Sequence, residues 1–168
     1  MLLIAKSKEI ARATTTLFKE NKIKKVYWAI VIGIPEKNQG IIRYSLNKSY
    51  DSRLEKMMVD PNNKKYAETK YKVIEKKNNL SLLELYPKTG RTHQIRAHLL
   101  AINTPILGDK KYKNKNVDLS KFPYSTKLKL HAKELKFTLN NKKFSFHAQL
   151  PEDFVEILKI NNFRYQYE

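Results

Sequence analysis

A basic segment spanning residues 88–98 carries the residue types best suited to chemistry. Gly90 permits a close turn, Thr92 can cap the helix that follows, and Arg91 stands at the start of that helix. Free backbone N–H groups at such a start favour a carboxylate or a phosphate. An arginine held there can form a two-pronged bond to a carboxylate, a task for which lysine lacks the planar fork. From the residues alone, an ordinary polar helix entrance with solvated charges is an equally good interpretation.

The histidines raise the alternative of a metal site. His93 and His98 are five residues apart, which places them well apart around a helix, unlike the i, i+4 pair of metalloproteases. The chain has no cysteine, so a thiolate zinc site and a disulfide framework are both excluded. We therefore expect no metal, and we interpret His93, His98 and His131 as hydrogen-bonding structural residues.

The overall charge points to a polyanionic partner. Lysine and arginine total 34 against 16 acidic residues, a net charge of +18, which is more than solubility requires. A genome that enriches lysine at solvated positions would explain the same excess, so charge alone favours nucleic acid only modestly. No apolar run approaches the roughly 20 residues of a membrane-spanning helix. We expect a soluble, cytoplasmic protein that does not enter a membrane.

The elements that would position the basic segment follow from hydrophobic periodicity. Residues 1–5 read as a buried strand, and Ser7 can cap an amphipathic helix that ends near Asn21. A near-continuous apolar run at residues 24–32 predicts a strand covered on both faces, with Tyr27 and Trp28 on opposite sides.

The rest of the chain alternates between strands and helices. Residues 41–46 predict a short strand, and the polar residues 47–63 an exposed excursion. Residues 67–73 and 80–85 predict an antiparallel pair. The later predictions are a helix from Thr92 to Ile102, a hairpin of residues 135–139 and 144–148, and a closing helix at residues 153–160. This order indicates a single α+β domain over residues 1–168.

The motif around Arg91 resembles the signature of the RluA family of RNA pseudouridine synthases. Its core is TGRTHQIR at residues 89–96, followed by HL at 98–99, PILGD at 105–109 and Tyr112. The resemblance covers nearly the whole chain, and its outer parts are LIAK at 3–6, KVYWA at 25–29, AETKY at 67–71, LHAKEL at 130–135 and LPEDF at 150–154.

The resemblance implies the pseudouridine synthase catalytic fold, a mixed and mainly antiparallel sheet with flanking helices. It implies a cofactor-free isomerisation in which an aspartate assists cleavage of the uridine glycosidic bond and the uracil rejoins through C5. Tyr27 matches the active-site tyrosine, whose ring lies against the target base, and Arg91 matches the arginine that pairs with the catalytic aspartate. The target base must leave its stack, which favours unpaired uridines.

The family's catalytic aspartate has no counterpart in the chain. It belongs to a His-Arg-Leu-Asp segment expected about six positions before Met1, so we expect a domain that is incomplete at its N-terminus and inactive alone. Asp109 lies in the family's Gly-Asp turn, where a side chain bonds nearby amides, and Asp153 lies at a helix start. Neither is a convincing substitute.

RNA is the expected partner of a monomeric chain, with ribosomal RNA favoured over transfer RNA. A non-catalytic RNA-binding protein and a nonfunctional gene remnant remain alternatives, because the charge does not depend on the aspartate. The residues that we predict to contact RNA are basic, although each is more often a solvated surface charge. They are Lys48, Arg53, Lys56, Lys64, Lys65, Arg96, Lys110, Lys111 and Lys113.

Overall fold

A seven-stranded sheet organises the computed structural model, which describes residues 1–49, 56–60, 62, 65–114, 122 and 127–164. The strand order is β3-β2-β4-β5-β1-β6-β7, and every named pair of strands is antiparallel. The elements in chain order are α1 (Lys8–Lys19), β1 (Lys24–Ile32), β2 (Gln39–Ser49), β3 (Lys56–Val59), β4 (Tyr66–Lys77), β5 (Leu80–Pro87), α2 (Gln94–Ala101), β6 (Leu130–Leu139), β7 (Lys142–His147) and α3 (Glu152–Ile160). The α+β prediction is confirmed.

The core has two layers, one on each face of β1. Trp28 belongs to a buried cluster that includes Phe154 and Leu158 of α3. Tyr27 packs against the opposite cluster, which includes Ile95 and Leu99 of α2. Because successive side chains of a strand point to opposite faces, the apolar run of β1 is covered on both sides, as predicted.

Two Asn-Asn turns set the register of the hairpins. Asn78 and Asn79, and likewise Asn140 and Asn141, adopt positive φ angles between 48° and 60°. Two consecutive residues of this kind match the twist of antiparallel strands, and asparagine tolerates the left-handed region better than most residues. The predicted pairings of β4 with β5 and of β6 with β7 are confirmed.

Two predictions about the first third of the chain are wrong. Residues 1–5 form no strand, and Leu2 and Ile4 are 82% and 76% exposed, because no neighbouring strand pairs with them in the described structure. The predicted excursion at residues 47–63 contains the end of β2 and all of β3. A four-residue strand with one buried side chain, Met57, is too short to leave a periodic signal.

The three predicted helices are present with small shifts of their ends. The Oγ of Ser7 accepts a hydrogen bond from the Ile10 amide at 3.2 Å, which caps α1 as predicted. Helix α2 begins at Gln94, and His93 rather than Thr92 holds the position before it, with φ of 51°. No helix in the described part of the chain is long and apolar enough to cross a membrane.

Candidate functional site

The turn that carries Arg91 is tied down by the side chain of Gln94. Gln94 Oε1 accepts hydrogen bonds from the Arg91 amide at 3.0 Å and from Thr89 Oγ1 at 2.7 Å. This bond from a side chain back to the amide three residues earlier holds the turn just before α2, where His93 is the cap residue. Thr89 Oγ1 in turn accepts from the Glu68 amide at 3.0 Å, so the turn is fixed to β4.

The other end of Gln94 reaches into the protein. Gln94 Nε2 donates to the Glu68 carbonyl at 2.9 Å and to Thr69 Oγ1 at 3.0 Å. Thr69 Oγ1 also lies 3.0 Å from Nδ1 of His98, and both residues are fully buried. Burial lowers the pKa of His98 to about 4, so its ring is neutral. A chain of neutral groups therefore joins α2, β4 and the Arg91 turn.

The Arg91 side chain is left open by this arrangement. It is exposed, and its Nε donates to the Tyr66 carbonyl at 3.3 Å. Among the described residues no carboxylate pairs with it. Glu68 is held instead by Arg43 Nε at 3.0 Å and by the Tyr66 hydroxyl at 2.6 Å, and these hydrogen bonds lower the pKa of Glu68. Arg91 is thus a cation held by the turn, and its Nη groups have no hydrogen-bond partner among the described residues.

Tyr27 lies where a β-bulge interrupts the pairing of β1 with β6. Its ring is half-buried against the α2 side of the core, and burial raises the pKa of its hydroxyl. Because the ordinary value is already near 10, the hydroxyl carries its proton at neutral pH. The hydroxyl has no hydrogen-bond partner among the described residues, so its proton is available to a ligand.

The structure brings Tyr27 and Arg91 to the same end of the sheet. Strand β5 ends at Pro87, and the turn that follows passes beside the beginning of β1. A β-carbon placed on Gly90 would lie 4.0 Å from Nζ of Lys25, two residues before Tyr27. The two residues assigned from the resemblance therefore lie on segments that adjoin at this end of the sheet. Sequence reasoning assigned no role to Gln94 or Thr69, because the partners of Gln94 in β4 lie about 25 residues earlier in the sequence.

Arg96, on α2, forms an ion pair with Asp109, in the turn that follows this helix. Arg96 Nε and Nη2 donate to the two carboxylate oxygens of Asp109, each at 2.7 Å. Oδ1 of Asp109 also accepts from the amides of Lys111 and Tyr112, which confirms the predicted turn role. Burial alone would raise the pKa of Asp109, but the bonds from Arg96 and the two amides outweigh it and lower the pKa. The Arg96 fork is thereby engaged, and its contact with RNA stays a prediction.

The remaining predicted RNA contacts gather partly around Tyr112. The Tyr112 hydroxyl accepts a hydrogen bond from the Met57 amide at 2.7 Å, which connects β3 to the turn at 108–113. Nζ of Lys56 lies 5.5 Å from the centre of the Tyr112 ring.

The other predicted RNA contacts lie on several elements. Lys48 and Met57 are register partners in β2 and β3, and the Leu46 amide donates to the Lys65 carbonyl. Lys110 and Lys113 are exposed, and Lys111 is half-buried. Arg53 and Lys64 lie outside the described residues.

The histidines act as hydrogen-bonding groups, as predicted. Nδ1 of His93 lies 3.1 Å from the Tyr112 hydroxyl, and Nε2 of His131 donates to the Ala148 carbonyl at 3.2 Å. Within the described ranges, no three residues of the types His, Cys, Asp and Glu come together as a metal-binding group.

Comparison with known proteins places this geometry in a family. The family model of RNA pseudouridylate synthases matches residues 1–101. The ribosomal large subunit pseudouridine synthase C of Rickettsia typhi is 40% identical over 154 residues, which cover 90% of this chain and 50% of that protein. An uncharacterized RNA pseudouridine synthase of Zymomonas mobilis is 34% identical over 161 residues, 93% of this chain and 70% of that protein.

A solved structure has the same fold. The human RNA pseudouridylate synthase domain containing 4 protein superposes with a TM-score of 0.75 and 27% identity, over 93% of this chain and 69% of that one. The chain spans about half the length of the Rickettsia relatives that it matches. The match over residues 1–101 and the motif around Arg91 agree, and the chain belongs to the RNA pseudouridylate synthase family, in its RluA branch.

Proposed function

We propose that this protein serves in the isomerisation of uridine to pseudouridine in ribosomal RNA. One observation carries the proposal: Arg91 is fixed by Gln94 at the end of the sheet where Tyr27 lies, yet it has no carboxylate partner among the described residues. The substrate class follows from relatives named as ribosomal large subunit enzymes. In the reaction the bond from C1′ to N1 of uracil breaks and a bond from C1′ to C5 forms. C5 then loses its proton, and N1 gains one.

Tyr27 and Arg91 divide the work of holding the target. In this proposal the ring of Tyr27, which is half-buried against the core, lies against the uracil. Stacking on an aromatic ring contributes about 1–3 kcal/mol per base. Arg91 orients the carboxylate that assists cleavage of the glycosidic bond. A planar guanidinium can hold both oxygens of that carboxylate, which lysine cannot do.

The 168 residues alone are proposed to bind RNA without isomerising uridine. The described acidic side chains nearest to the site already have partners, as Glu68 does with Arg43 and Tyr66. A non-catalytic RNA-binding protein is the second candidate, and the net charge of +18 supports it equally well. The two candidates differ in whether the gene is needed for any pseudouridine.

Deleting the gene in the source organism separates these candidates. The proposal predicts that at least one pseudouridine disappears from large-subunit ribosomal RNA and that the intact gene restores it. A gene that carries Arg91→Lys should restore the modification at a rate at least about a hundredfold lower than the intact gene, because displacing a catalytic group lowers the rate by about that factor. Arg12→Lys, at an exposed position of α1, is the matched control and should restore the modification fully. An unchanged modification pattern in the deletion strain would exclude the synthase function.

The purified 168-residue chain tests the remaining claim directly. Incubated with ribosomal RNA, it should bind with strong salt dependence and form no pseudouridine. Formation of pseudouridine by this chain would show that one of its own carboxylates does the chemistry, and would refute the proposal that it is inactive alone.

A further inference from the structure

A cavity lined by lysines opens beside the Arg91 turn. It has a volume of about 520 Å³ and lies where the turn after α1 meets the beginning of β1 and the end of β5. Its other walls include Ile23 and Tyr86, and none of the described residues that line it is acidic. Five lysines line this space, which we name the lysine cavity: Lys22, Lys24, Lys25, Lys70 and Lys88.

The charge of the lysine cavity is largely uncompensated. Lys22 is the exception, because its exposed side chain pairs with Glu20 at 2.7 Å. The other four lysines form no ion pair with any carboxylate in the described part of the chain. Lys25 is the most enclosed of them, and burial lowers its pKa. Several ammonium groups around one concave space raise the local potential, and an anion bound there would relieve the cost of burying Lys25.

The position of the lysine cavity indicates which anion it takes. The cavity adjoins the turn that carries Arg91, since the β-carbon position of Gly90 lies 4.0 Å from Nζ of Lys25. An RNA strand that places one nucleotide at Tyr27 and Arg91 must send its backbone away along the surface next to this turn. Ammonium groups bind phosphates as point charges, without the bidentate geometry that base recognition uses.

We propose that the lysine cavity is a phosphate-binding subsite that holds the RNA backbone of a nucleotide flanking the one at Tyr27 and Arg91. The proposal rests on the proposed function, because it takes RNA as the ligand. The subsite is separate from the basic residues around Tyr112, and its lysines come from three separate stretches of the sequence, namely residues 22–25, residue 70 and residue 88. It acts on affinity and register, and it reads no base.

The test compares two double variants that lose the same charge. Lys25→Gln/Lys70→Gln removes two lysines from the cavity, whereas Lys142→Gln/Lys143→Gln removes two exposed lysines from β7. The dissociation constant for a uridine-containing single-stranded RNA is measured by fluorescence anisotropy over a series of salt concentrations. For the cavity variant, affinity at low salt should fall about tenfold, and the slope of log K against log salt should become less steep by about one. The β7 variant should change affinity less than about twofold.

A second measurement does not depend on RNA. Inorganic pyrophosphate, added to the wild-type chain, should shift the NMR signals of the Lys25 and Lys88 amides, and the shifts should be absent in the cavity variant. Urea unfolding of both double variants establishes that they fold. The proposal is overturned if the two double variants bind RNA alike, or if pyrophosphate leaves the cavity amides unmoved.

Failure of the phosphate-subsite proposal can be told apart from failure of the proposed function. If the gene deletion leaves all pseudouridines in place while the cavity variant loses RNA affinity and salt dependence, the subsite stands and the synthase function does not. If the modification depends on Arg91 while both double variants bind RNA alike, the reverse holds.

Discussion

Replacing Gln94 with leucine should both destabilise the protein and loosen the Arg91 turn. Leucine has a similar volume but makes none of the four hydrogen bonds of the Gln94 side chain, which is 4% exposed. Three of its partners keep a second bond: the Glu68 carbonyl still accepts from the Lys88 amide, Thr69 still meets His98, and Thr89 Oγ1 still accepts from the Glu68 amide. With roughly 0.5–1 kcal/mol for each of the four lost bonds, the free energy of unfolding should fall by about 2 to 4 kcal/mol.

Urea unfolding at neutral pH measures this loss, and amide hydrogen exchange at Arg91 measures the loosening. Gln39→Leu, at an exposed position in β2, is the matched control and should change the unfolding free energy by less than about 0.5 kcal/mol. The Arg91 amide should exchange faster in the Gln94 variant only. Equal stability of the two variants, or an unchanged exchange rate at Arg91, would refute the role that we assign to the Gln94 side chain.

Two further predictions concern buried ionisable groups. Burial holds the folded-state pKa of His98 at about 4, below the ordinary 6.5, so the unfolded chain binds the extra proton. The contribution of His98 to the free energy of unfolding should therefore be fully present above pH 6.5 and should decline by up to about 3 kcal/mol as the pH falls towards 4. In urea unfolding at several pH values, His98→Gln should flatten this pH dependence. His147→Gln, at a side chain that is 58% exposed, should leave it unchanged. Asp109→Asn should lower the free energy of unfolding by about 3 kcal/mol, because it breaks a buried ion pair. Glu20→Gln, at an exposed pair, should lower it by less than about 0.5 kcal/mol. Equal losses in the two variants would contradict the role of burial.

The parts of the fold that the sequence predicted are those whose signal is local. The two Asn-Asn turns sit between apolar runs, and their conformation depends on two adjacent residues. The seven consecutive apolar or aromatic residues of β1, at positions 26–32, predict from their types alone a strand that is covered on both faces. Strand β3 was not predicted because it depends on residues distant in the sequence. It is hydrogen-bonded to β2, and the amide of its Met57 donates to the Tyr112 hydroxyl. The failed strand at residues 1–5 shows that an apolar segment is buried only where other elements cover it.

The same distinction applies to the candidate site. Arg91 and Tyr27 were predicted because each sits in a continuous motif. The role of Gln94 depends on Glu68 and Thr69, about 25 residues earlier, which come into reach only when β4 pairs with β5. The lysine cavity likewise joins positions between residues 22 and 88, so no window of the sequence displays its charge.

Neutral groups around Arg91 have a physical rationale. An acidic side chain at position 94 could also accept the Arg91 amide, but its negative charge would lie beside the guanidinium and compete with a catalytic carboxylate for it. Gln94 supplies the same acceptor without charge, and its amide donates to Glu68 and Thr69, where a carboxylate would face two oxygens. Glu68, on the strand to which the turn is bonded, is paired with Arg43. The turn is therefore held in place, while the guanidinium that it presents has no carboxylate partner among the described residues and is ready for an anionic ligand.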